Sequence, residues 1–103
     1  MPNSSPTGYL ISVTDPVADP IPLHPGTRYR LGRAPTNRVV LMDDLCSREH
    51  AELFAAGGWV LRDLKSTNGC HVNEIPVTAD VPLADGDVLR FGRTRFTLSL
   101  IHI

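Results

Sequence analysis

The sequence predicts an all-β sandwich, and three observations carry that prediction. Its apolar residues fall into short runs, alternating or continuous, of strand length rather than helix length. Nine prolines and eight glycines are scattered along the chain as turn signals, more than long helices would tolerate. No segment carries an amphipathic helix: the stretch 79–84 is too short and contains Pro82.

The elements follow in order. Residues 8–14 form the first strand candidate, ended by Asp15-Pro16, and 19–26 is a proline-rich connection. Residues 27–33 alternate as a half-buried strand should. Runs at 38–41, 50–55 and 59–64 come next, with Gly57-Gly58 as a hairpin turn between the last two, since glycine reaches the positive φ of tight turns. Short pieces at 71–73 and 75–77 precede Asp85-Gly86, which turns the chain into 87–92. The last strand spans 95–103 and leaves the chain ending inside an apolar run, as at the edge of a domain. Residues 1–7 read as a flexible N-terminal segment and 8–103 as one domain.

A chain of 103 residues suits one domain and buries roughly two-thirds of its unfolded surface. With 42% hydrophobic and 20% charged residues, disorder is not expected. A net charge of −1 argues against a nucleic-acid binder. Nine of the ten basic residues are arginine, with Lys65 the lone lysine; arginine favours bidentate recognition of phosphate or carboxylate. Cys46 and Cys70 are too few for a disulfide framework. Residues 1–7 are too polar for a signal peptide, and no apolar stretch approaches the ~20 residues of a membrane span. A cytoplasmic setting is the expectation.

Four segments stand out between the strands. Gly32-Arg33 closes a run before the polar loop Ala34-Pro35-Thr36-Asn37. Ser47-Arg48-Glu49-His50 opens another run, and Ser66-Thr67-Asn68-Gly69 follows a third. Leu83-Ala84-Asp85-Gly86-Asp87-Val88-Leu89-Arg90-Phe91-Gly92 completes the set. In this order and spacing they resemble the hallmark blocks of forkhead-associated (FHA) domains: Gly-Arg, Ser-x-x-His, Ser-x-Asn-Gly and Leu-x-x-Gly-Asp-x-Leu-x-Phe-Gly. The resemblance covers about residues 29–96, with 9–13 as a plausible first strand.

That resemblance implies a sandwich of about eleven strands whose loops at one end bind phosphothreonine peptides. It implies phosphopeptide contacts from Arg33, Ser47, Arg48, Thr67 and Asn68, with Gly32, His50 and Gly69 supporting the site. A guanidinium fork suits the phosphate, and the Asn68 amide both donates and accepts, as gripping an extended main chain requires. Arg48 is the least determined of the five, because the residue type at its position varies in the family. Preference for phosphothreonine over phosphoserine is implied through a methyl pocket, and Leu45 stands where a selector for the third residue after it can occur. Two positions depart from the pattern: Cys70 replaces the usual threonine and Glu74 the common glycine. The implied partner is a phosphothreonine protein, a Ser/Thr kinase or its substrate among them, bound by a monomeric domain without cofactor. The alternative is an FHA fold used as a phosphorylation-independent interaction or oligomerisation module; the intact Arg33, Ser47, Thr67 and Asn68 argue against it.

Two other classes are disfavoured. Ser47, His50 and Asp63 supply the ingredients of a hydrolytic triad, yet no Gly-x-Ser-x-Gly elbow occurs. On an extended strand, residues three apart point to opposite faces. Cys46, His50, Cys70 and His71 offer no paired zinc spacing, so no metal site is expected.

Overall fold

The computed structural model describes residues 6–15 and 17–101, and contains eleven strands and no helix among them. Residues 1–5 of the expected leading segment, Pro16 of the first turn and positions 102 and 103 of the last expected strand lie outside the described residues. Pro6 and Thr7, counted with the leading segment, bond to the sandwich: the Pro6 carbonyl accepts Trp59 Nε1–H at 2.7 Å and the Thr7 carbonyl accepts Ile101 N–H at 2.8 Å.

The strands are β1 (Gly8–Ser12), β2 (Ile21–Leu23), β3 (Tyr29–Gly32), β4 (Val39–Val40), β5 (Ala51–Ala55), β6 (Trp59–Asp63), β7 (Cys70–Val72), β8 (Ile75–Pro76), β9 (Val81–Pro82), β10 (Val88–Phe91) and β11 (Thr94–Leu100). They form one sheet of order β2-β1-β11-β10-β7-β8 and a second of order β4-β3-β5-β6-β9. All pairings are antiparallel except β3 with β4. Alternation decides what the sheets enclose: Leu10 is buried between exposed Tyr9 and Ile11, and Phe96 and Leu98 point inward from β11. Leu31, Leu53, Trp59, Leu61, Leu89 and Phe91 complete the centre of the core.

Strand β5 departs from alternation, because Ala51 to Phe54 are all buried. Its outward side is covered by long arginines. The Arg28 and Arg62 guanidiniums lie 4.4 and 4.9 Å from the Phe54 ring centre, and Arg28 donates to Glu52 at 3.0 Å. The expected proline-rich connection contains β2, and the stretch judged too short for a helix contains β9. Both are edge strands, where proline removes no ladder bond the sheet needs.

The turn after β7 forms despite Glu74. Asn73 and Glu74 both adopt positive φ, 50° and 67°, as a two-residue hairpin demands. The Asn73 side chain binds Asp87 and accepts Val88 N–H, and the Glu74 carboxylate pairs with Arg90 and Arg95.

Candidate functional site

Three loops meet at one end of the sandwich: 33–38 between β3 and β4, 41–50 between β4 and β5, and 64–69 between β6 and β7. None has regular secondary structure, so their positions depend on bonds between loops.

The first two lie side by side. Arg33 N–H and Ala34 N–H donate to the carbonyls of Ser47 and Arg48 at 3.0 and 3.1 Å. Asn37 Nδ2 adds a bond to the same Arg48 carbonyl at 2.6 Å. Gly32 makes this approach possible, since a Cβ there would collide with the Arg48 carbonyl. Arg33 is exposed, and its Nε–H donates to the Cys46 carbonyl at 2.6 Å. That bond fixes the stem, and neither terminal nitrogen has a partner among the described residues. Arg48 is exposed and is held through its carbonyl.

His50 links the second loop to the third. It is fully buried, and its ring meets Phe91 edge-on at 5.8 Å. Ser47 N–H donates to Nδ1 at 2.9 Å, so Nδ1 is unprotonated; Nε2 then carries the proton and donates to the Gly69 carbonyl at 2.8 Å. Gly69 has φ of 75°, the left-handed turn that brings this carbonyl round. The Ser47 hydroxyl accepts Thr67 N–H at 3.0 Å, and Asn68 Nδ2 donates to the Leu45 carbonyl at 2.8 Å. The hydroxyls of Ser47 and Thr67, the Asn68 amide oxygen and the Arg33 fork therefore sit on one connected frame. Such a set offers donors to a tetrahedral oxyanion beside an amide suited to an extended backbone. Leu45 is partly exposed next to it, at 37%.

Asp63 and Asp43 brace the frame from behind, and neither role was read from the sequence. Asp63 accepts Ser66 N–H at 3.3 Å, the Ser66 hydroxyl, and the Cys70 thiol at 3.2 Å, closing the start of the third loop. Cysteine at position 70 thus makes the brace a thiol. Asp43 accepts Leu45 N–H at 2.9 Å, a local turn. It also accepts Arg93 N–H and the Thr94 hydroxyl at 2.8 and 2.9 Å, some fifty residues away. Burial acts to raise the Asp43 pKa, but these hydrogen bonds and the Arg93 charge outweigh it and leave the group below the ordinary aspartate range.

The triad ingredients are placed differently from the reading of an extended strand. Ser47 to His50 form a tight bend, and the imidazole bonds the Ser47 main chain rather than its hydroxyl. Asp63 bonds Ser66 and Cys70. Of the four metal candidates, only His50 and Cys70 cluster, with Asp63 as the third member, their ligand atoms lying within 4.8 Å of one another. Both imidazole nitrogens and the thiol are already engaged. Burial first, then the bond to and charge of Asp63, push the Cys70 thiol well above its ordinary range; burial and the Asp43 charge push Cys46 up to about 11. Both cysteines are free and buried. Protonated thiols are poor metal ligands.

The family pattern of the FHA domain matches residues 29–92, which takes in all three loops. The chain belongs to the FHA domain family. This FHA domain is 39% identical over 69 residues to the FHA domain-containing protein FhaB of Mycobacterium tuberculosis; the match takes in 66% of the chain and 44% of FhaB, so the chain spans under half the length of that relative. It superposes with a TM-score of 0.85 and 32% identity on a structure solved in work on phosphothreonine-dependent FHA domain interactions, covering 94% of this chain and 99% of that one. With M. tuberculosis EmbR, solved in complex with a low-affinity phosphopeptide, the TM-score is 0.81 and the identity 31%, over 92% of this chain and 24% of EmbR.

Proposed function

We propose that this FHA domain binds a phosphothreonine-containing segment of a partner protein and catalyses nothing. The observation that carries the reading is the Ser47–Thr67 bond: the serine oxygen accepts a main-chain N–H with one lone pair, which orients the hydroxyl and leaves its proton to donate. Beside it the Arg33 fork is open and its stem is fixed. In this reading Arg33, Ser47 and Thr67 hold the phosphate, Arg48 adds positive charge, and Asn68 grips the peptide main chain. Gly32, His50 and Gly69 shape the loops without touching ligand. The phosphothreonine-dependent interactions of the similar solved domain and the phosphopeptide held by EmbR support it. The partner is then a phosphoprotein, a Ser/Thr kinase or one of its substrates.

Titrating a phosphothreonine peptide library against its unphosphorylated twin tests the reading. Saturable binding by the phosphorylated set alone is expected. Equal binding by both sets would leave the domain as a phosphorylation-independent module.

A further inference from the structure

The outer face of the second sheet carries more guanidinium than carboxylate where it meets the 33–38 loop. A cleft of about 320 Å³ opens there, lined by Arg28, Arg30, Thr36, Arg38, Glu49 and Glu52, together with Asn37. Three guanidiniums face two carboxylates, and those carboxylates are engaged. Glu52, with its side chain only 10% exposed, lies beneath Arg28, Arg30 and Arg62 at 3.0, 3.8 and 3.7 Å. Glu49 is taken by Arg30. Arg28 uses one terminal nitrogen on Glu52 while its guanidinium lies over Phe54, and its side chain is 61% exposed. Arg38 is exposed and makes no ion pair among the described residues. Glu52 thus pins the Arg28 and Arg30 forks where they line the cleft, and its bonds do not use all the donors of either fork.

The cleft and the phosphate loops share one segment. Arg33 stands at the start of 33–38 and Arg38 at its end, and Asn37 N–H closes the turn between them on the Ala34 carbonyl at 3.1 Å. Asn37 also lines the cleft while its side chain holds the Arg48 carbonyl. A peptide lying across this loop meets both.

The geometry points to a second anion subsite in this cleft, centred on Arg38 with Arg28 and Arg30, that takes an acidic group from the peptide flanking the phosphothreonine. This rests on the phosphothreonine reading. The chemistry recognised is a carboxylate or a second phosphate, and net positive charge with hydroxyl and amide donors suits either.

Fluorescence anisotropy tests it with phosphothreonine peptides carrying Glu, Gln, Ala or phosphoserine at each flanking position in turn. The readout is the ratio of affinities, acidic over alanine, in the wild-type chain and in Arg38→Ala. We expect one position at which the acidic peptide binds about three- to tenfold tighter than the alanine peptide, with Gln giving no gain. The gain should vanish in Arg38→Ala and shrink as salt rises from about 50 to about 500 mM. A larger gain from phosphoserine than from Glu would assign the subsite to a second phosphate; equal gains would assign it to carboxylates. No gain at any position, or a gain that survives Arg38→Ala, overturns the proposal. Because every ratio is taken between phosphothreonine peptides, it is independent of the comparison with the unphosphorylated twin, so failure of the subsite is distinguishable from failure of the phosphothreonine reading.

Discussion

The two ends of the sandwich are held by different means. At one end the β5–β6 turn closes on itself: Ala56 N–H reaches the Gly58 carbonyl two residues on, and the adjoining Trp59 fills the core while its Nε1–H holds the Pro6 carbonyl. At the opposite end the loops between β3 and β4, β4 and β5, and β6 and β7 are tied by side chains reaching 11 to 23 residues along the chain, from Arg33, Asn37, Ser47, His50 and Asn68. A turn closed on itself needs little sequence and presents little chemistry. A loop held by its neighbours keeps irregular backbone in one shape and leaves polar groups at its surface, as a binding surface requires.

The sharpest way to break this contrast is to remove one anchor from each end. Trp59→Ala should lower stability by about 3–5 kcal/mol through the lost packing, with peptide affinity per folded molecule unchanged. His50→Ala should lower stability by about 2–4 kcal/mol, because Ser47 N–H and the Gly69 carbonyl lose their partner, and should weaken peptide binding as well. Thermal melting beside peptide titration measures both. Parental melting with lost binding in His50→Ala would make His50 a ligand contact.

Next, Arg33→Ala should weaken phosphopeptide binding roughly tenfold to a hundredfold while lowering stability by only about 1 kcal/mol, since its exposed fork contributes charge and only its Nε–H bond to the Cys46 carbonyl ties the loops. Undiminished binding would remove Arg33 from the site. A smaller effect distinguishes the phosphoresidue: one buried methyl is worth about 0.8 kcal/mol, so phosphothreonine should bind several-fold tighter than phosphoserine in paired peptides. Equal affinities would argue that no methyl pocket exists.

An effect of similar size tests the loop end through pH. The folded pKa of Asp43 is depressed, so its contribution is complete above the unfolded value near 3.8 and is lost as pH falls through the folded one. Asp43→Asn should therefore flatten the loss of stability in acid below about pH 4 and cost about 1 kcal/mol at neutral pH. Denaturant midpoints measured down the acid range check this; an unchanged acid slope would place the titrating group elsewhere.

How much of this was legible follows from range. Apolar runs bounded by turn signals, alternating in β3 and continuous in β5, could be read directly, as could β6 and β10, though their expected ends ran one or two residues long. Strands β2 and β9 could not, because two or three residues with a proline show no period inside a longer proline-rich or loop stretch, whereas the equally short β8 fell within the expected 75–77 piece. The loop motifs named Arg33, Ser47, His50, Thr67 and Asn68 because their spacing is local. Asp43 was half visible, since an aspartate two residues before Leu45 signals a turn, but its bonds to Arg93 and Thr94 join segments fifty residues apart. Asn37 and Asp63 were seen as loop and strand-end residues, and only the fold shows what they hold.

The imidazole of His50 is a single rigid plate with one loop hanging from each nitrogen. Neither loop can swing outward without pulling on the ring, and the ring is wedged against Phe91 in the core. Solvent should therefore reach the amides of Ser47 and Thr67 in one shared opening event instead of two independent ones. Their hydrogen exchange should slow together when peptide is added, by a common factor, and speed up together when the core beneath Phe91 is loosened.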